Sequence, residues 1–167
     1  VSPSRLAVIS NKTAIATSED GGCSWRKAPS LTGQDRVRLN DLFFLGPNHG
    51  WVVGDNGYIA MTSDGGLRWR VQTAAVAAHF TGVHFVDPLS GYVVGRRTSG
   101  FGSVVLHTSN AGESWELQQT IENDLLEDLY VGESGDAWAA GGVLDVTKGQ
   151  RVFRKKAAAG ATVPLPQ

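Results

Sequence analysis

Cysteine is all but missing from this sequence: Cys23 is the only one in 167 residues. No intramolecular disulfide can form, and no metal site built from several cysteines is available. Charge is also sparse and balanced, at 19% charged residues and a formal net charge of −1. Neither intrinsic disorder nor electrostatic binding to nucleic acid is favoured by such a balance. No apolar run approaches the roughly 20 residues that cross a bilayer, so direct membrane insertion is not expected. A convincing amphipathic helix is lacking too. The apolar stretch from Thr73 to His79 reads as a link between strands, although a helical turn would fit it.

What the chain has in quantity is glycine, 21 residues, spread in step with a repeat. SEDGGCSW (Ser18 to Trp25), TSDGGLRW (Thr62 to Trp69) and TSNAGESW (Thr108 to Trp115) carry a hydroxyl, an acid or amide, a glycine and a tryptophan at offsets 0, 2, 4 and 7. The three tryptophans are 44 and then 46 residues apart. Self-similarity at that period marks a repeat architecture.

Other segments fall into register once the tryptophans are aligned. GWVVG (Gly50 to Gly54), GYVVG (Gly91 to Gly95) and DAWAAG (Asp136 to Gly141) precede the second half of each unit; LNDLFFL, FTGVHFV and LLEDLYV precede those. Each is a short β-branched, aromatic and aliphatic run bounded by turn residues, and reads as a strand. Asp55-Asn56-Gly57 is a hairpin turn, since Asn-Gly accepts the positive φ values that a type I′ turn needs.

Four short strands per unit of about 40 to 45 residues describe the blade of a β-propeller. The expected fold is all-β, with about four blades of antiparallel strands at residues 1–36, 37–76, 77–122 and 123–156. The first blade lacks its innermost strand. In the fourth, VLDVTKGQRVF is a degenerate second half with no alignable box, and residues 157–167 read as an Ala/Pro linker or tail. A partial ring or a fragment of a larger, seven-bladed one is the expectation, with self-association if the ring is incomplete.

In the repeated box, Ser18, Thr62 and Thr108 with Asp20, Asp64 and Asn110 are placed to satisfy backbone N–H groups of the turn. Gly22, Gly66 and Gly112 supply positive φ. Trp25, Trp69 and Trp115 fold back as apolar plugs, each burying on the order of 150 to 250 Å² between blades. The alternative, that Asp20 and Asp64 are catalytic, conflicts with their repetition, because an acid and a base need different environments.

This pattern resembles the Asp-box, or bacterial neuraminidase repeat. The longer units LFFLGPNHGWVVGDNGYIAMTSDGGLRW and VHFVDPLSGYVVG with VLHTSNAGESW resemble the photosystem II stability and assembly factor family. That resemblance implies seven-bladed, non-enzymatic, often exported propellers that bind other proteins, with a membrane protein complex as partner and the periplasm, thylakoid lumen or extracellular space as location. No cofactor is implied. The runner-up is a sialidase or xyloglucanase-type enzyme or lectin; a stalk or receptor ectodomain is a third reading. A sialidase would show an arginine triad, a tyrosine nucleophile and an Arg-Ile-Pro segment, and that segment is not in the sequence.

Glycoside hydrolysis needs two carboxylates facing one bond. Asp41, Asp87, Glu127 and Asp128 form no obvious pair, and Asp41 and Asp128 fall at equivalent strand positions. His49, His79, His84 and His107 have no ligand-like spacing, so they read as packing or surface residues rather than metal ligands. Arg151, Arg154, Lys155 and Lys156 read as a solvated strand edge.

One feature departs from the repeat. Where the second blade has Asp55-Asn56-Gly57, the third has Arg96 to Ser103, five residues more. Arg96, Arg97 and Phe101 are the candidate partner-binding residues, because loops tolerate insertions and carry function, and Arg and aromatic side chains anchor interfaces. No catalytic or metal-binding residue is assigned.

Overall fold

The computed structural model describes residues 5–10, 13–28, 37–74, 76–132, 137–142 and 150–155. They form four antiparallel sheets, and among them there is no helix beyond a short 3₁₀ turn at Asp55–Gly57. The first sheet is β1 (Leu6–Ser10), β2 (Ala14–Ser18) and β3 (Arg26–Lys27). The second is β4 (Leu39–Leu45), β5 (His49–Gly54), β6 (Tyr58–Thr62) and β7 (Arg70–Thr73). The third is β8 (Ala78–Phe85), β9 (Gly91–Arg97), β10 (Gly102–Thr108) and β11 (Glu116–Glu122). The fourth is β12 (Leu125–Val131), β13 (Ala137–Gly142) and β14 (Gln150–Lys155).

Within every sheet, neighbours in sequence are neighbours in space. Each sheet then packs face to face on the next: β1 meets β4, β4 meets β8 and β8 meets β12. This is a partial propeller in which β4, β8 and β12, the innermost strands of the second, third and fourth blades, lie side by side along the axis, while β1 holds the place of β5 and β9 in the first blade.

The apolar clusters lie between blades rather than within them. Ile15 of the first blade packs with Leu39, Val52, Tyr58, Ala60 and Trp69 of the second. Trp51, Val53 and Ile59 of the second pack with Phe80, Phe85, Val93, Leu106 and Trp115 of the third. A third cluster joins Val94 and Ile121 to Leu126, Leu129 and Val131. A single blade exposes two faces, so this burial exists only when blades are stacked.

Three expectations are revised. Trp25 is 45% exposed, whereas Trp69 and Trp115 are 8% and 7% exposed. Each box indole plugs the gap toward the blade before it; on that side of the first blade, where Leu6 and Val8 are also exposed, the described residues include no sheet to receive Trp25. Secondly, the insertion after Gly95 lengthens a hairpin more than it makes a loop. Arg96 pairs with both Ser103 and His79, Arg97 pairs with Ala78, and only residues 98–101 form the bend. Thirdly, the degenerate fourth repeat keeps a third strand, since β14 pairs with β13 from Ala137↔Lys155 to Gly142↔Gln150. Pairing requires only backbone, and Arg151, Arg154 and Lys155 lie on that outer strand. Residues 143–149, Lys156 and the 157–167 tail lie outside the described residues.

Candidate functional site

The boxes define one rim of the blades. In all three, the hydroxyl donates to the residue two places on: Ser18 to Asp20 at 2.8 Å, Thr62 to Asp64 at 2.9 Å and Thr108 to Asn110 at 2.9 Å. The same oxygen accepts the N–H four places on, from Gly22, Gly66 and Gly112, at 2.8 to 2.9 Å. The acid or amide oxygen in turn accepts the N–H of Ser24, Arg68 or Ser114. Position 111 is Ala at φ 60°, followed by Gly112 at φ 86°, so the turn tolerates one non-glycine left-handed residue.

These bonds hold the carboxylates as turn components. Hydrogen bonds from the Ser24 hydroxyl and N–H, with Ser18, draw the Asp20 carboxyl down to about 2. For Asp64, partial burial pushes upward but is outweighed by the N–H of Arg68, the Thr62 hydroxyl and the N–H of Leu67, and the group lies below its ordinary value. Groups so stabilised as anions are poor proton donors at neutral pH.

Along the axis the structure assembles a group that no sequence spacing announces. The innermost strands β4, β8 and β12 each carry a β-bulge at the same place: between Leu39 and Asp41, Phe80 and Gly82, and Leu126 and Asp128. The bulged residues are Asn40, Thr81 and Glu127. Asn40 Nδ2 donates to Phe80 O at 2.8 Å, and Thr81 Oγ1 donates to Leu126 O at 2.9 Å. The first two bulges thus tie their blades to the main chain of the following one.

Asp41 joins the same blades, accepting the Val83 N–H at 2.8 Å through one oxygen and the Leu42 N–H at 2.8 Å through the other. Burial pushes its carboxyl above the ordinary value, and Asp128 adds to this, against the pull of those N–H groups and of His84. Asp41 and Asp128, seemingly unpaired in sequence, are thus near enough for the Asp128 charge to bear on Asp41. His84 lies between Phe43 at 4.5 Å and Tyr130 at 5.1 Å, three rings from equivalent positions of three first strands. Burial lowers the His84 pKa, against Asp41, a backbone bond at Val131 and Asp128. Among the described residues, no cluster of three His, Cys, Asp or Glu side chains could hold a metal ion.

At the opposite rim stand the residues singled out as partner-binding. Arg96 forms an ion pair with Glu127, the bulge residue of the fourth blade. Arg97 Nη1 lies 2.9 and 3.2 Å from the two carboxylate oxygens of Glu122 on β11. Phe101 is half-buried in the bend, which Thr98 pins to Ala77 O through its N–H at 3.3 Å and its hydroxyl at 3.1 Å. Ser103 is fully buried, and its hydroxyl donates to Asp124 O at 3.0 Å and accepts the Leu126 N–H at 2.8 Å. The rim thus carries two guanidinium groups and two carboxylates, all reachable from solvent, on an anchored hairpin. Nearby, His79 Nδ1 lies 3.5 Å from Asp55 Oδ1. Asn40, Thr81 and Ser103 went unremarked in sequence; the shared trace of the first two is a polar residue inside each apolar first strand.

Comparison with known proteins agrees with this architecture. The photosystem II stability/assembly factor HCF136 of Oryza sativa subsp. japonica is 26% identical over 144 residues, covering 83% of this chain and 34% of that protein. The chain therefore spans about a third of the length of that curated relative. A solved structure of YCF48 bound to D1 peptide superposes with a TM-score of 0.63 at 21% identity, over 81% of this chain and 44% of that one. A GH74 enzyme from Niastella koreensis superposes with a TM-score of 0.59 at 16% identity, over 84% of this chain and 24% of that one. At such identities the two structures speak to fold alone. The family model described as photosynthesis system II assembly factor YCF48 matches residues 34–131, more than half of the sequence and the part that holds the two complete blades and both buried box indoles; the chain belongs to that family.

Proposed function

We propose that this chain is a non-catalytic, protein-binding part of a photosystem II assembly factor, and that it meets its partner through the rim carrying Arg96, Arg97 and Phe101. The observation that carries the reading is the family match across residues 34–131. Two features of the geometry support it. The box carboxylates and Asp41 are held by backbone N–H groups rather than aimed at a common point. Among the described residues, the rim arginines form their ion pairs with exposed glutamates, Glu122 and Glu127.

Exposed ion pairs contribute about 0 to 1 kcal/mol each. Little is lost when a partner's carboxylates replace those of Glu122 and Glu127, and a guanidinium fork can grip such a carboxylate through two parallel N–H bonds. Phe101 supplies an apolar anchor beside them. The D1 peptide seen with the YCF48 structural neighbour makes a photosystem II peptide the first partner to try.

The test is a titration of fluorescently labelled D1 peptide with this chain and with the Arg96→Ala/Arg97→Ala double variant, followed by anisotropy. Saturable binding that weakens about tenfold in the variant, near 1.4 kcal/mol, is the expected result. Its melting temperature should stay close to that of the parent. A parent that does not bind, or a variant that binds as well as the parent, refutes the assignment.

A further inference from the structure

Phe44 and Phe85 hold the same place in successive blades. Each ring lies over a glycine of its neighbouring strand, Gly50 or Gly91. Each receives a box indole edge-on, Trp69 at 6.1 Å and Trp115 at 6.0 Å. The remaining face of Phe85 is covered by Trp51, stacked at 3.6 Å and 10°.

Among the described residues, no ring is stacked on Phe44 in this way. Trp51 pairs with Met61, the residue before the box hydroxyl Thr62; in the first blade the residue before Ser18 is Thr17, and its partner is Ala7. Alanine therefore stands where the next blade has an indole. The space left is a cleft of about 310 Å³ lined by Arg5, Leu6, Ala7, Thr17, Leu42 and Phe44.

The polar end of the slot is exchanged as well. Trp51 Nε1 donates to Ala111 O at 3.4 Å, in the third box. The equivalent carbonyl of the second box, Gly65 O, receives the Arg5 guanidinium, also at 3.4 Å. Arg5 has one further described partner, the carboxylate of Glu19 at 3.4 Å, whose side chain is largely exposed. Both contacts are long, and the Arg5 side chain keeps 21% of its surface in solvent, so the cation at the edge of this apolar cleft has room for a further acceptor. An apolar pocket with a convergent charged group is the usual form of a small-ligand site.

We propose that this cleft binds a planar aromatic ring bearing a carboxylate, the ring against Phe44 in the place of the missing indole and the carboxylate on Arg5. A free aryl acid and the carboxy-terminal aromatic residue of a protein share that chemistry. The site sits at the box end of the strands, opposite the end that carries Arg96 and Arg97, and is separate from the partner rim.

Calorimetric titration of the chain with 3-indolepropionate, with its neutral methyl ester and with a tripeptide ending in a free-carboxylate tryptophan tests this. Saturable binding of at least one of the two acids is expected, tighter than the ester by about fivefold, as one charge pair at the edge of solvent provides. Arg5→Gln should bring the acids down to the level of the ester. Ala7→Trp fills the slot and should abolish binding, and Ala7→Leu serves the same purpose if that variant does not fold. Binding by the tripeptide alone assigns a chain terminus as the source, and binding by the free acid alone assigns a small molecule. Failure of both acids to bind into the millimolar range, equal affinities for acid and ester, or undiminished binding by Ala7→Leu overturns the proposal.

Discussion

Two tryptophans with the same motif position but different surroundings give a controlled experiment. Trp69→Ala removes an indole that is 8% exposed and packs edge-on against Phe44. Truncating a buried Trp leaves a cavity that a packed interface closes only in part, and costs about 3 to 5 kcal/mol. Trp25→Ala removes the same side chain from a place where it is 45% exposed. About half of the 150 to 250 Å² that an indole covers is at stake there, which at 25 cal/mol per Å² is about 2 to 3 kcal/mol at most. The neighbours of Trp25 can relax into solvent, and the unfolded chain already hides part of this area, so about 1 to 2 kcal/mol is the expected loss. Urea unfolding followed by far-ultraviolet circular dichroism measures both, at an unchanged m-value. If Trp69→Ala costs under about 1 kcal/mol, or if the two substitutions cost the same, the indole is not the inter-blade plug described here.

The bulge contact gives a second prediction. Thr81→Val keeps the shape and removes the hydrogen bond to Leu126 O, and should cost about 0.5 to 1.5 kcal/mol in the same assay; no change would mean that the third and fourth blades are held by apolar contact alone. A third prediction concerns acid. Asp20, at about 2, and Asp64, below its ordinary value, lie under the unfolded-state value near 3.9. Stability from such groups is present above the unfolded value and is lost as pH falls toward the folded one. The chain should therefore lose stability between about pH 4 and 2, and Asp64→Asn, which copies Asn110, should flatten that slope; an unaltered slope would remove Asp64 as a cause.

The blade count was legible because the box is a local device. A hydroxyl, an acid and a glycine satisfy one another within eight residues, so their spacing survives in sequence wherever the turn does. The indole that ends the motif is different, because its burial depends on the preceding blade. Trp25 and Trp69 look alike in sequence, yet one is 45% exposed and the other 8% for that reason. Arg96 and Arg97 read as loop residues since they follow a glycine and precede Thr-Ser-Gly, yet pairing with His79 and Ala78 carries the strand through them. Asp41, His84 and Asp128 are separated by more than 40 residues at each step, and only closure around an axis brings them together. Bulges are quieter still: nothing in the types of Asn40, Thr81 and Glu127 marks them except that each interrupts an apolar run.

The joint made by Asn40 and Thr81 uses a main-chain oxygen as its acceptor. Any residue at the receiving position presents that oxygen, so a blade makes no demand on the side chains of its successor there. The fourth repeat illustrates the freedom this allows: its box has eroded beyond alignment, yet Leu126 still offers Thr81 the same carbonyl that Phe80 offers Asn40. Sequence drift in one unit is thereby kept from loosening the unit before it.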